Sequence, residues 1–285
     1  MTTLLKKNIF IRDNRKGTEM KKETVIALRR SIKDYWESLS ISTIEREFSR
    51  LGAGLLNRNS KLQKNPDGNA VRIYGIEMLP ANYTAGENLC PSAGQCINTC
   101  LAFSGHARLI KLDVPSVKLN NVLKKRARRT FLFKHSPDFR AMLKTQVKRR
   151  FELDAKIGIK SVFRLNVFSD VDYTWLIKEL PYIQFYDYTK VWSREASLSN
   201  YTLVYSYSER TDPIEAMEKL HKGQNIAMVF QDTLPETWNG FPVIDGDESD
   251  YRIADPRGVV VGLKVKQQIG LKKDSYNSFT SASNL

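Results

Sequence analysis

Short apolar runs recur along the second part of this 285-residue chain, and they constrain its fold more than any other feature. They lie at residues 71–78, 161–165, 183–186, 202–205, 226–230, 241–244 and 259–263. Amphipathic stretches such as 171–180 and 213–222 separate them. Continuous apolar runs with helices between them are typical of a parallel sheet that is buried on both faces. The sequence therefore predicts an α/β fold, and we expect a partial or irregular parallel (β/α) barrel.

A polar linker at residues 57–69, which ends in Pro66-Asp67-Gly68, is the best candidate for a domain boundary. Before it, apolar residues at spacings of three and four predict helices between residues 18 and 55. We predict an N-terminal helical extension at residues 1–65 and an α/β domain at residues 66–285. Within that domain, residues 116–156 are predicted to form a basic insert of two helices, broken near Ser136 and Pro137.

All three cysteines of the chain fall within residues 90–100, at Cys90, Cys96 and Cys100. Three thiolates in one short loop suit a soft metal or an iron–sulfur cluster, and the loop follows the first apolar run. Inert buried thiols and redox chemistry are the alternatives. Zinc competes with a cluster, because His106 could complete a site with three cysteines and one histidine. A disulfide is disfavoured, since the cysteine count is odd and the spacing is short.

Polar residues follow almost every apolar run directly. We single out Asn166, Asp170, Asp187, Lys190 and Asp247 as candidates that line a catalytic site. The carboxyl ends of parallel strands meet at one edge of the sheet, so these residues are expected to converge on the cysteine loop. The alternative is that they are ordinary loop residues, which are polar in any protein. Asp245, Asp247, Asp250 and Asp255 could together bind magnesium or form a plain acidic loop.

The chain carries a formal net charge of +14, and part of that charge is concentrated in the predicted insert. Five cations lie close together, at Lys124, Lys125, Arg126, Arg128 and Arg129. Clustered Lys and Arg bind polyanions by releasing counterions, which makes nucleic acid an expected partner. The alternative is a solvated basic face on amphipathic helices.

The sequence also disfavours several classes of protein. It has no apolar run near the ~20 residues of a membrane helix and no secretory signal pattern, so we expect a cytoplasmic protein without a membrane partner. It has no phosphate-binding glycine-rich loop, no dinucleotide fingerprint and no nucleophile elbow. Its three histidines are far apart, which disfavours a nuclease with a paired-histidine metal site. The oligomeric state is left open.

Several ordered motifs resemble the gene product 88-like family of phage and plasmid proteins. The matching segments span about residues 70–280 and include Tyr74-Gly75-Ile76, the loop from Cys90-Pro91 to Cys100-Leu101, Arg164-Leu165-Asn166, Phe185-Tyr186-Asp187-Tyr188-Thr189-Lys190, Asn200-Tyr201, Asp245-Gly246-Asp247, Asp255-Pro256 and Val261-Gly262-Leu263. The resemblance implies a phage or plasmid protein, expected in the host cytoplasm, and does not imply a particular activity.

The cysteine loop is also loosely similar to that of radical-SAM enzymes, in which three cysteines follow the first strand of a partial barrel. The usual spacing has three and then two intervening residues, whereas this chain has five and then three. The resemblance implies a [4Fe–4S] cluster on Cys90, Cys96 and Cys100, with S-adenosylmethionine as a further cofactor. We therefore expect an iron–sulfur enzyme that acts on nucleic acid or nucleotides. The rival is a non-catalytic nucleic-acid-binding replication accessory protein with structural zinc.

Overall fold

The computed structural model describes residues 22–49, 54–59, 62–63, 70–81, 83, 88–94, 96, 100–103, 111–113, 116–231 and 233–265. Its helices are α1 (Lys22–Glu37), α2 (Ile41–Ser49), α3 (Asn121–His135), α4 (Phe139–Ala155), α5 (Thr174–Glu179) and α6 (Pro213–His221), with a 3₁₀ helix at Leu101–Phe103. Its strands are β1 (Leu56–Asn57), β2 (Val71–Ile76), β3 (Lys111–Asp113), β4 (Ser116–Lys118), β5 (Lys160–Arg164), β6 (Gln184–Thr189), β7 (Tyr201–Ser206), β8 (Asn225–Phe230), β9 (Thr237–Trp238), β10 (Phe241–Asp245) and β11 (Val260–Lys264).

Nine strands form one mixed sheet in the order β1-β2-β5-β6-β7-β8-β11-β10-β9. The pairings from β2 to β10 are all parallel, while β1 and β9 add antiparallel edges. From β2 to β8, each strand of this sheet lies beside the next one along the chain. The α/β class is therefore confirmed. The order of strand pairing does not test whether the sheet closes into a barrel, so the barrel stays a prediction.

The two faces of the sheet are covered differently. Phe163, Phe185 and Leu203 face a large apolar core to which helices α2 to α6 all contribute. On the opposite face, smaller apolar groups pack around Val162 and Val204. Right-handed crossovers between neighbouring parallel strands put their helices on a single face, which explains this asymmetry.

Local signals fix the ends of the helices. The side chain of Asn120 accepts a hydrogen bond from the Leu123 N–H and caps α3, and Asp212 caps α6 in the same way. The break between α3 and α4 lies at residues 136–138, within the predicted insert. Helix α1 packs on α3 through Leu28 and Ile32, so it forms a second layer outside the main core. The predicted domain boundary near residue 66 stays a prediction, since 64–69 lie outside the described residues.

None of the helices described by the structure is both long and apolar enough to cross a membrane.

Asp154, near the end of α4, ties that helix to the sheet. Its carboxylate is almost fully buried and accepts hydrogen bonds from Arg72 and Tyr74 of β2 and from Ser161 of β5. The Arg72 contact is an ion pair of 2.5 Å. One carboxylate thus fixes the register of two neighbouring parallel strands against the helix that crosses between them.

We predict that Asp154→Ala lowers the free energy of unfolding by on the order of 3 kcal/mol, because it leaves two buried hydroxyl donors and the half-buried Arg72 guanidinium without their acceptor. Glu152→Ala is the matched control, since Glu152 is exposed on the same helix, and it should change stability by less than about 0.5 kcal/mol. Chemical denaturation measures both variants. Equal stabilities of the two variants would contradict the role given to Asp154.

Candidate metal site and its surroundings

The cysteine loop lies against the carboxyl end of β5. The Asp170 N–H, in the loop after that strand, donates to the Leu89 carbonyl at 2.7 Å. The Cys90 thiol contacts the Phe168 carbonyl at 3.4 Å. Because β2 precedes the cysteine loop and pairs with β5 in parallel, the loop remains close to this edge of the sheet. The predicted contact between the cysteine loop and this strand end is present.

The three thiols lie close enough to act on one another electrostatically. The pKa of the Cys90 thiol is raised to about 12, mainly by burial and in part by negative charge at Cys96 and Asp170. Burial also raises the pKa of Cys100 far above its usual range, and negative charge at Cys96 and Cys90 adds to this effect. For Cys96, burial is again the main cause of a raised pKa. In the absence of a bound cation, all three are therefore protonated thiols near neutral pH.

Each sulfur also faces a group that stabilises its anionic form. The backbone N–H of Ala81 lowers the pKa of Cys90, and the N–H of Ala102 lowers that of Cys100. Lys190 lowers the pKa of both Cys90 and Cys96, while Arg126 lowers that of Cys100. Such donors and cations commonly surround thiolates that bind metals. Within the described ranges, no three His, Cys, Asp or Glu side chains are close enough to hold one ion without rearrangement.

His106, the predicted fourth ligand for zinc, lies outside the described residues.

Asp170 and Lys190 do lie next to the cysteine loop. Asp170 is nearly buried, and its carboxylate accepts from the Thr189 hydroxyl, the Lys190 N–H and Arg194. The Arg194 contact is an ion pair of 2.6 Å. These bonds join the loops that follow β5 and β6, so the Lys190 ammonium is held within electrostatic range of two cysteines.

Asn166 holds the loop after β5 in shape and does not point an unpaired amide at the cysteines. Its Oδ1 accepts from the Ser169 hydroxyl and the Val171 N–H, and its Nδ2 donates to the Val171 carbonyl. The side chain therefore closes the turn that presents Phe168 and Asp170 to the cysteine loop. It is a positioning residue in this structure.

Asp187 lies within β6 and not at its end. Its carboxylate accepts from the Asn166 N–H at 2.7 Å and from the Tyr201 hydroxyl at 3.4 Å. Burial raises the pKa of Asp187 to about 7, although the Asn166 N–H and the charge of Arg164 oppose the shift. The residue sits beneath the site, where it supports Asn166.

Asp247 belongs to a different part of the sheet edge. It follows β10, and its carboxylate accepts from the Lys264 N–H at 2.9 Å. Three strands, β7, β8 and β11, lie between β10 and β6. The expected convergence on the cysteine loop therefore holds for Asp170 and Lys190, and for Asp247 it stays a prediction.

The five cations of the predicted basic cluster do not form one surface. Arg126 and Arg129 are buried, and burial lowers the pKa of Arg129 to about 10. Arg128 pairs with Glu47 at 2.8 Å, and the Lys124 ammonium lies 5.5 Å from the centre of the Tyr35 ring. Only Lys125 is exposed. Because Arg126 and Arg129 are buried, we correct the prediction that they contact phosphate. Nucleic-acid binding stays a prediction for Lys124, Lys125 and Arg128.

Arg126 instead anchors the cysteine loop, a role that its sequence context did not indicate. Its Nε and Nη2 each lie 2.9 Å from Glu77 Oε2, at the end of β2, and its Nη1 donates to the Ala102 carbonyl beside Cys100. The guanidinium carbon also lies 4.4 Å from the centre of the Phe168 ring. Burial raises the pKa of Glu77, but Arg126 and Asn59 outweigh burial and leave it below its usual value.

A second contact was equally hidden from the sequence. The Glu209 carboxylate, after β7, packs against Gly94 within the cysteine loop, where the backbone has a positive φ of 54°. No spacing rule connects Glu209 with that loop, because the contact depends on the order of strands in the sheet.

We predict that Asp187 makes the protein less stable as pH rises. Its pKa is raised in the folded state, so its contribution is fully present below about 4, the pKa of an unfolded Asp, and is lost as pH rises through about 7. Between pH 5 and 8, wild type should therefore lose stability relative to Asp187→Asn. Denaturation at several pH values measures this difference. Asp172→Asn is the control, since the pKa of Asp172 is lowered and no such trend is expected.

Comparison with known proteins gives one match. A search of curated proteins and a search of solved structures each found no match, and nothing in the comparisons supports the looser similarity to radical-SAM enzymes. A family model described as gene product 88 matches residues 54–278, a range that includes the cysteine loop and every strand of the nine-stranded sheet. The chain therefore belongs to the gene product 88 family, as its motifs predicted.

Proposed function

We propose that Cys90, Cys96 and Cys100 ligate an iron–sulfur cluster and that this edge of the sheet is a catalytic site. The observation that carries the proposal is the surroundings of the sulfurs: each one faces a backbone N–H, a cation or both. These groups favour thiolate, although burial favours thiol. The positive charge of iron in a bound cluster would favour loss of the three thiol protons. Hydrogen bonds to the sulfurs would then tune the reduction potential of the cluster.

The place of the loop also supports catalysis. Active sites of parallel α/β proteins lie at the carboxyl ends of the strands, and the loop contacts residues that follow β5, β6 and β7. Lys190, Arg194 and Glu209 add charged groups that could orient a substrate beside the metal. With three cysteines in the chain, one iron of a four-iron cluster would remain open for a further ligand.

We predict that the protein binds iron and acid-labile sulfide when it is purified and reconstituted without oxygen. Alanine substitution of Cys90, Cys96 or Cys100 should each abolish most of the brown colour and the iron content. Ser92→Ala is the matched control in the same loop and should retain both. Stoichiometric zinc without iron after anaerobic reconstitution would falsify the cluster and support the structural-zinc rival.

We further propose that the cluster cleaves S-adenosylmethionine, as in radical-SAM enzymes, and that the substrate is nucleic acid or a nucleotide. The cleavage has its own assay. S-adenosylmethionine and dithionite, added to the reconstituted protein, should give 5′-deoxyadenosine and methionine, while the Cys96→Ala protein should give neither. A cluster-loaded protein that releases no 5′-deoxyadenosine would refute this reaction class and leave the cluster itself in place. The substrate class that we propose, nucleic acid or nucleotides, is tested afterwards by adding it to this assay.

We also predict that Arg126 positions the cluster ligands. Arg126→Gln should lower the iron bound per folded chain several-fold, because it breaks the link from Glu77 to the backbone beside Cys100. Arg128→Gln, on the same helix, should leave iron binding unchanged, and Arg126→Lys should restore part of it. Circular dichroism corrects each value for unfolded protein. Full iron content in folded Arg126→Gln would contradict the positioning role.

A further inference from the structure

A second polar cluster lies on the sheet face opposite the helices, apart from the cysteine loop. It joins Arg164 at the end of β5, Tyr186 and Tyr188 of β6, and the segment 249–255 that follows β10. Tyr251 of that segment packs in the same apolar group as Val162, so the segment covers this face of the sheet. Arg164, Asp250 and Arg252 are between 2 and 4% exposed. Two arginines are thus buried together away from any helix.

The two guanidinium groups differ in how completely their carboxylate partners are hydrogen-bonded to them. Arg164 Nη1 donates to both oxygens of Asp250, at 2.7 and 2.9 Å, and the Tyr186 hydroxyl donates to the same carboxylate at 2.9 Å. The guanidinium carbon of Arg164 also lies 4.4 Å from the centre of the Tyr188 ring. The Asp250 carboxylate is therefore already engaged by a cation and a hydroxyl.

Arg252 forms an ion pair with Asp255, but its guanidinium group is incompletely hydrogen-bonded. Its Nη2 donates to the Ser249 carbonyl at 2.6 Å. Its Nη1 lies 3.2 Å from Asp255 Oδ2, but the two atoms are not aligned as a hydrogen bond, so both count as unsatisfied among the described residues. Burial raises the pKa of Asp255 to about 6 even though Arg252 lowers it. The Asp255 carboxylate is thus a charged partner at pH 7, but it does not complete the hydrogen bonding of the Arg252 guanidinium.

Three buried N–H donors are left over at this place. Within the part of the chain that the structure describes, Nε of Arg164 and both Nε and Nη1 of Arg252 have no acceptor. Arg164 is tied to the segment that carries Arg252, because it donates to Asp250 two residues before it, and the charges of both arginines lower the pKa of Tyr188. Buried charged donors without acceptors are costly and rare, and they commonly mark the site of a ligand.

We propose that Arg164 and Arg252 form a binding site for the oxyanion of a small molecule, a carboxylate or a phosphate. Guanidinium donors match both groups in geometry and charge, and an anion would supply the acceptors that Nε of Arg164 and Nε and Nη1 of Arg252 lack. The site uses none of the cysteines, so it stands independently of the proposed cluster.

The test is titration of the full-length protein with sulfate, phosphate and acetate at pH 7, each against potassium chloride of the same ionic strength. Sulfate keeps the same charge near pH 7, so its binding is measured without any change in the protonation of the anion. We expect saturable stabilisation in thermal melts and saturable heat in calorimetry. Preference for sulfate and phosphate identifies a phosphate-type ligand, and preference for acetate identifies a carboxylate. No saturation beyond the chloride control with any of the three overturns the proposal.

Arg252→Gln should weaken anion binding by about tenfold or more, because it removes two charged donors. Arg257→Gln is the matched control, since Arg257 is exposed and close in sequence, and it should bind as wild type does. If Arg252→Gln fails to fold, ¹⁵N spectra of the wild-type arginine Nε–H groups decide instead. Two Nε–H signals should move with sulfate and not with chloride. Equal binding by both variants, or unmoved Nε–H signals, overturns the site.

Discussion

The parallel pairing of β2 with β5, and of β5 with β6, is the constraint on which the rest of the structure depends. It brings the loops that follow these strands to one edge, so that Cys90 and Phe168 are in contact although they lie 78 residues apart in the chain. Hydrogen bonds from Asp170 to Leu89 and from Lys190 to Asp170 then join the loops directly. The cysteines gain their charged neighbours from this pairing and not from their own segment.

Ion pairs that each contain a buried carboxylate hold this arrangement at three points. Arg126 joins Glu77, Arg164 joins Asp250, and Arg72 joins Asp154. Each pair links a strand of the sheet to a different element, so each acts at a long sequence separation. Because removing one partner of such a pair leaves a buried charge, these contacts specify which elements meet. A chain with a net charge of +14 thus uses part of its excess of cations inside the fold.

The strands could be predicted well, because a buried parallel strand needs a continuous apolar run and little else. The predicted run 226–230 matches β8 to within one residue, and 241–244 matches β10 equally well. The same criterion placed Asp187 after a strand, whereas it lies inside β6 with its carboxylate buried. In the sequence, a polar residue such as Asp187 ends an apolar run. In the structure the strand continues through it, because the Asn166 N–H donates a hydrogen bond to its buried carboxylate.

Charge was harder to predict than the strands. Lys125 and Arg126 are neighbours of the same sign, yet one is exposed and the other is buried against Glu77. Their positions differ because adjacent residues on a helix point about 100° apart, and only one faces the partner that the fold provides. That partner lies 49 residues away along the chain, at the end of β2. No local pattern could have supplied it.

Strand β5 links the two sites proposed for this protein. Arg164, its last residue, points to the face opposite the helices, and the loop that begins two residues later carries Phe168 and Asp170 to the cysteines. Asp187 interacts with both Arg164 and the loop that follows it. Its carboxylate accepts a hydrogen bond from the Asn166 N–H, and the positive charge of Arg164 lowers its pKa. An anion bound to Arg164 would offset the positive charge of the guanidinium and so raise the pKa of Asp187 further. Occupancy of the proposed anion site would thus be felt, through Asp187, at the loop after β5 that contacts the cysteine loop.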